Sequence, residues 1–215
     1  MNARAAVLGR IRDRLGSPRA SRATIEAEAA ALIDDVSSVQ PPLDLPTVDK
    51  FVERVTSERL TASIATIDDF SSLPAAVLTY LSDKGLDRNV CIAPDPRLTD
   101  LDWQETKVHH QIDPNETVAL TIADFAIAET GSFVFTSSPE TPTLHNFLPL
   151  HHLVAIERAK ILPYFEDFLS LHRTTNRAEP RSLNYITGTS GTADIEAKNV
   201  RGAHGPRYMH VLLIG

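Results

Sequence analysis

Two short stretches hold residue types that could do chemistry. The first, "GTSGTADIE" at residues 188–196, sets Gly188, Ser190, Gly191 and Thr192 after an apolar run and ahead of two acids. Gly188 and Gly191 can take positive φ and let a ligand approach the backbone. With a helix starting near Thr192 or Ala193, its first N–H groups have no partner inside the helix. Together with the hydroxyls of Ser190 and Thr192 they could hold an anion. The same residues read equally well as an ordinary helix cap, in which Ser190 or Thr192 accepts from the first turn. Asp194 and Glu196 would suit the helix dipole there but repel a phosphate. The stretch has no P-loop lysine and is not the dinucleotide G-x-G-x-x-G pattern. Just downstream, "GAHGPR" places His204 and Arg207 around a Gly-Pro turn. A turn histidine can be a general acid or base, or simply a hydrogen-bonded loop residue. Arg207 could hold a carboxylate or phosphate through two parallel bonds.

The second stretch is "TIADFAIAETGSFVF", where Glu129 interrupts an apolar run and Gly131 permits a tight turn. A carboxylate in such a run must reach solvent, backbone donors or a ligand. Asp124 raises the same question. Glu129 and His204 are the candidate catalytic groups. Gly188, Ser190, Gly191, Thr192 and Arg207 are the candidate ligand contacts. No metal site is read: the pairs His109–His110 and His151–His152 are adjacent on strands and point to opposite faces. The single cysteine, Cys91, lies in the apolar run "NVCIAP" and reads as a buried core thiol. One cysteine also excludes a four-cysteine iron–sulfur cluster or zinc ribbon built from this chain alone.

The elements that must position these residues alternate. Apolar positions Ala6, Leu8, Ile11 and Leu15 follow helical spacing, Gly16-Ser17-Pro18 stops that helix, and "ATIEAEAAALIDDV" reads as a second. The prolines of "QPPLDLPT" mark a linker. The organisation expected is a helical arm over residues 1–42 and an α/β domain over 43–215. In the latter, "VDKFVERVTSERL", "SLPAAVLTYLSDKGL" and "RAKILPYFEDFLSLHR" read as helices. "TASIATI", "NVCIAP", "TVALTIAD", "GSFVFTSS", "HHLVAIE", "LNYITG" and "YMHVLLIG" read as strands. Strands rich in Val, Ile and Leu, separated by helices, predict a largely parallel sheet covered on both faces. Ligands of such sheets sit at the carboxyl ends of strands, where "ITGTSGTADIE" and "FVFTSSPETP" begin.

The 215 residues are 42% hydrophobic and 23% charged, as in a globular protein, and the formal net charge of −7 argues against a uniformly basic nucleic-acid binder. No apolar run is long enough to span a bilayer and the first residues lack the apolar core of a secretory signal, so a cytoplasmic location is expected.

Four stretches taken in order, "ADFAIAETGSFVF", "LPLHHLVAIERAKIL", "ITGTSGTADIE" and "RGAHGPRYMHVLLIG", resemble the lactate utilization (LUD) domain family over roughly residues 45–215. The resemblance implies an α/β three-layer fold similar to the sugar-phosphate isomerase and CoA-transferase superfamily. It implies a role beside two partner proteins in oxidising L-lactate to pyruvate, with iron–sulfur clusters in the partners and no cofactor in this chain. Where the family often has Gly-Pro-Ser-Arg-Thr, this chain has Thr189 and Gly191 in place of proline and arginine. Leu144, His145 and Asn146 stand where another arginine is common. Two alternatives remain open: an enzyme acting on a CoA ester or sugar phosphate, in which Glu129 of "AETG" would be the nucleophile, or a sensor of a small carboxylate.

Overall fold

The computed structural model describes residues 3–15, 20–38, 40–174, 179–195 and 198–215. Gly16, Ser17 and Pro18, expected to stop the first helix, lie outside them. The chain divides into two units, Met1–Pro41 and Pro42–Gly215. The first holds α1 (Ala3–Leu15) and α2 (Arg22–Asp34). Ser21 caps α2 by accepting from the Thr24 N–H at 3.1 Å.

The second unit begins with α3 (Thr47–Thr56), β1 (Ser63–Ile67), α4 (Leu73–Lys84), β2 (Asn89–Ile92), α5 (Pro96–Thr99), β3 (Lys107–His109) and β4 (Val118–Ile122). It continues through β5 (Phe125–Ile127), β6 (Ser132–Thr136), β7 (His151–Glu157), β8 (Ile161–Leu162), α6 (Phe165–Thr174) and β9 (Leu183–Thr187). Strands β10 (Gly191–Ile195), β11 (Lys198–Arg201) and β12 (Tyr208–Ile214) complete it. The sequence punctuates these elements where expected. Pro74 opens α4, and Gly85 closes it in the left-handed region at φ 62°, its N–H bonded back to Leu81.

Six strands form an all-parallel sheet in the order β1-β12-β7-β4-β2-β3. The α/β class and the largely parallel sheet follow from the alternation in the sequence, because β4, β7 and β12 are apolar on both faces and buried on both. One face carries Val90, Leu120, Leu153 and Leu212 against Leu73, Val77 and Leu81 of α4. The other carries Val154, Ile156, Val211 and Leu213 against Phe51 and Val55 of α3 and against Phe133 and Phe135 of β6.

That second face is covered by another sheet as well as by a helix. A four-stranded sheet, β8-β5-β6-β9, takes up "GSFVFTSS" and "LNYITG". Its outer side packs Ile127 and Val134 on Phe168 of α6. Two helix boundaries differ from expectation. Residues 158–164 do not start α6: Ile161 and Leu162 pair with Ala126 and Ile127 of β5, and Pro163, which has no N–H, precedes the helix. No helix follows "GTSGT". Gly191 instead enters β10, which pairs antiparallel with β11. Glu196 and the side chain of Asp194 lie outside the described residues.

Candidate functional site

The loop after β9 is bound tightly to the rest of the fold. The Ser190 N–H donates to Pro206 O at 2.9 Å, Gly202 N–H donates to Ser190 O at 2.9 Å, and the Thr189 N–H points at Leu60 O at 3.4 Å. The Thr189 and Ser190 N–H groups thus point at protein carbonyls, and a strand begins at Gly191 where a helix start was expected. For the same reason Thr192 is a strand residue and not a helix cap.

The glycines have a packing role. A Cβ on Gly131 (φ 70°) would lie 2.8 Å from Leu60 Cδ1, and one on Gly188 (φ 74°) 2.9 Å from Leu60 Cα. Both turns therefore close on the same leucine. Across β6 and β9, the Ser132 and Thr187 hydroxyls meet at 2.5 Å, and Thr130 reaches Ser132 at 2.7 Å. So the Glu129 turn and the Gly188 loop do share one end of the second sheet. Glu129 is half-buried there and its N–H donates to Pro163 O at 3.1 Å. Arg201 pins the loop from the hairpin side. It donates to Thr189 Oγ1 at 2.9 Å, to Glu58 O at 3.1 Å and to the Thr61 hydroxyl. Thr61 sits at φ 58°, a conformation that a β-branched residue adopts only under constraint.

His204 and Arg207 face different neighbours. His204 is exposed and lines a cleft of about 390 Å³ with Asn115, Glu116, Phe147 and Gly202. Arg207 is exposed too, but its guanidinium lies 5.6 Å from the centre of the Tyr208 ring. "GTSGT" and "SSPETP" also separate: Ser132 pairs with Thr187 and Thr136 with Leu183, so the two stretches leave opposite ends of the antiparallel β6–β9 pair.

The larger cleft, about 600 Å³, opens at the carboxyl ends of the parallel strands. Asp124 follows β4, Glu157 ends β7, Lys160 follows it, and Arg97 comes from α5, which follows β2. Thr136 donates to Asp124 Oδ2 from both its N–H and its hydroxyl, each at 2.6 Å, so the carboxylate raised as a question by the sequence is held at the cleft wall. Arg97 grips Asp95 bidentately at 3.0 and 2.7 Å and faces Glu157 at 3.9 Å. Burial pushes the Asp95 carboxyl up, but the side-chain and backbone hydrogen bonds from Arg97 outweigh it and hold it below the usual carboxylate range. Lys160 stands 5.3 Å from the Phe125 ring centre. Arg97, Glu157 and Lys160 were not singled out from the sequence. Their signal was there: charged residues at or within three positions of the ends of the apolar runs "NVCIAP" and "HHLVAIE".

A profile of the LUD domain matches residues 98–214. The chain belongs to the LUD domain family. That span begins in α5 and takes in every strand from β3 to β12, including the Glu129 turn, the Gly188 loop and most of the large cleft. Among LUD relatives, "Lactate utilization protein C" of Anoxybacillus flavithermus is 30% identical over 106 residues, covering 48% of this chain and 47% of that protein. The protein of the same name from Bacillus subtilis is 30% identical over 118 residues, covering 53% and 49%. The chain thus spans about half the length of the curated relatives it matches. A crystal structure of a DUF162 family protein from Deinococcus radiodurans superposes with a TM-score of 0.57 at 18% identity, over 81% of this chain and 100% of that one. It shares the fold. Among the described residues no helix is long and apolar enough to cross a membrane.

Proposed function

We propose that this LUD chain is a subunit of an L-lactate utilization system, supporting oxidation of L-lactate to pyruvate together with iron–sulfur partner proteins. The observation that carries the reading is the family match, joined to relatives that bear the name of lactate utilization. Removing two electrons from lactate needs an acceptor, and one cysteine cannot hold a four-cysteine cluster. The clusters would therefore reside in the partners.

The carboxyl-end cleft is the place in this reading where a 2-hydroxy acid would sit. Lys160 and Arg97 supply positive charge for the carboxylate, and Asp124 and Glu157 supply acceptors for the hydroxyl. Because Asp95 already engages Arg97, Lys160 is the freer cation. Neither the cleft of about 600 Å³ nor the His204 cleft is lined by Glu129, so the acyl-transfer alternative gains no support from their geometry.

Calorimetric titration of the purified chain with L-lactate tests the ligand, with acetate as the control lacking a hydroxyl. Lys160→Ala should weaken L-lactate binding by roughly 10- to 150-fold, the loss of one charge-assisted bond. Wild-type protein that gives no heat with lactate at tens of millimolar, about a thousandfold above typical substrate affinities, would remove the cleft from the proposal. Deleting the gene and scoring growth on L-lactate as sole carbon source tests the role itself. Undiminished growth would overturn it.

A further inference from the structure

The second face of the parallel sheet holds a group of polar side chains that the carboxyl-end cleft does not use. Cys91 alternates with Val90 and Ile92, which face α4, so its thiol points the other way. It stands opposite His109 in the β2–β3 register. Glu116 lies two residues before β4, and its carboxylate accepts from His109 Nε2 at 2.9 Å and faces the Asp113 N–H at 3.3 Å. The sulfur of Cys91, a ring nitrogen of His109 and a carboxylate oxygen of Glu116 all lie within 4.8 Å of one another. Cys91 and Glu116 are buried and His109 is half-buried.

A second observation comes from the short 3₁₀ helix Thr143–Asn146. His145 is 3% exposed, and its Nε2 meets the His110 carbonyl at 3.0 Å. A carbonyl can only accept, so Nε2 carries the proton and Nδ1 carries a bare lone pair. That Nδ1 is buried and has no hydrogen-bond partner. The carbonyl that Nε2 meets belongs to the residue that follows His109. Asn146 Oδ1 beside it in sequence is orphaned as well. Buried acceptors of this kind are normally satisfied by a water or an ion.

We propose that Cys91, His109 and Glu116 bind a transition-metal dication of the zinc class, with a metal-bound water as fourth ligand donating to His145 Nδ1. Thiolate, imidazole and carboxylate on one tetrahedral ion are ordinary zinc chemistry, and neighbouring ligand atoms there stand about 3.3–3.7 Å apart. The three atoms lie within 4.8 Å of one another, so a movement on the order of 1 Å would bring them to that spacing. The His145–His110 carbonyl bond is the outer hydrogen bond that fixes a tautomer. Without a cation, burial and then the Glu116 charge push the Cys91 thiol up to about 12. Binding therefore requires the thiol proton to leave to solvent, while His109 gives up its bond to Glu116 and stays neutral. Glu116 also borders the His204 cleft, which gives the fourth position a route to solvent. The adjacent-histidine argument from the sequence missed this set because its members come from residues 91, 109 and 116, joined only by strand pairing.

The test uses the full chain, stripped with chelator and titrated with cobalt(II) and zinc(II). We expect one cobalt per chain with a thiolate-to-cobalt charge-transfer band, displaced by zinc, and release of about one proton per zinc at neutral pH. Cys91→Ser should abolish the band and weaken zinc binding by more than the roughly 10- to 100-fold typical of losing an orienting residue. His145→Ala should keep the band and fall within that smaller range. Cobalt bound without a thiolate band would be surface-histidine binding and would overturn the site, as would wild-type affinity in Cys91→Ser. If Cys91→Ser fails to fold, the wild-type band and proton release still decide the matter.

Discussion

Two polar clusters sit on opposite faces of the same parallel sheet, and they are finished differently. On the α4 side, Tyr80 OH meets His151 Nδ1 at 2.9 Å and Ser63 Oγ meets His210 Nδ1 at 2.8 Å. The rings stack in a column, Tyr208 on His151 and Tyr80 on His210, with 4.5 Å between centroids in each pair. On the other side, the buried side-chain atoms of His145, His152 and Asn146 include three of the four orphans among the described residues, and none belongs to the α4-side column. A polar cluster that satisfies itself is a structural device. One that leaves lone pairs buried beside a thiol, an imidazole and a carboxylate is arranged for something that binds.

The largest effect that could break this contrast is metal linkage. Zinc at about a thousand times its dissociation constant should raise the unfolding free energy by roughly 4 kcal/mol. Urea unfolding with and without zinc measures it. The increment should vanish in Cys91→Ser and persist in Tyr80→Phe. An equal increment in all three proteins would mean that the two clusters do not differ in the way described.

Acid should act on both faces. Burial, then the charge of Lys84, lowers His210 to about 4, and burial, then His145, lowers His152 to about 3. Their unfolded values are near 6.5, so below that pH the unfolded chain binds protons that the native chain does not. Stability is therefore lost as pH falls from about 6.5 towards 4, and His210 alone contributes at most about 3 kcal/mol across that window. Unfolding at pH 7, 5.5 and 4 should show a smaller slope for His210→Gln than for the wild type. An unchanged slope would mean that His210 titrates alike in the folded and unfolded chains and that its burial in the column does not disfavour the charged form.

How much of this could be read in the sequence depends on whether the deciding contact is local. The parallel sheet could be read because β4, β7 and β12 are apolar on both faces whatever their neighbours. The α4 boundary could be read because Pro74 and Gly85 act within a turn. The second sheet could not: β5 and β8 are two or three residues long and are strands only through each other and β6. The helix expected after Thr192 failed for a related reason. Small hydroxyl residues cap helices and also fit turns, and what selected the turn was pairing with residues 198–206. The Glu129 turn and the Gly188 loop meet only because β6 pairs antiparallel with β9, a partnership that spacing does not reveal. The assembly of Cys91 with His109 and Glu116 needed a strand order that no spacing reveals.

A smaller test separates the hydroxyl of the closed cluster from its rings. Tyr80→Phe keeps the stacking on His210 but leaves His151 Nδ1 without a partner, and should cost about 1–3 kcal/mol, the usual penalty for an orphaned buried acceptor. Adding zinc should not restore it. A cost below about 0.5 kcal/mol, the range of neutral surface changes, would mean that water replaces the hydroxyl and that the cluster is less closed than its geometry indicates.

The smallest effect belongs to Arg207, which the sequence offered as the main cation of an anion site. Its guanidinium lies over Tyr208, and Tyr208 stacks on His151, so Arg207 sits at the solvent end of the closed column. An exposed cation over an aromatic ring contributes about 0.5–1 kcal/mol. Its N–H donates to Leu150 O at 3.0 Å, a bond that a substitution at the side chain leaves in place. Arg207→Ala should therefore lower stability by about 0.5–1 kcal/mol, leave cobalt binding and its thiolate band unchanged, and leave any thermal shift with phosphate unchanged. The last point is the discriminating one, because the Thr189 and Ser190 N–H groups are already taken. If phosphate stabilises the wild type at millimolar concentration and the alanine variant loses that response, Arg207 reaches past the tyrosine to a ligand, and the closed column is itself part of a binding surface.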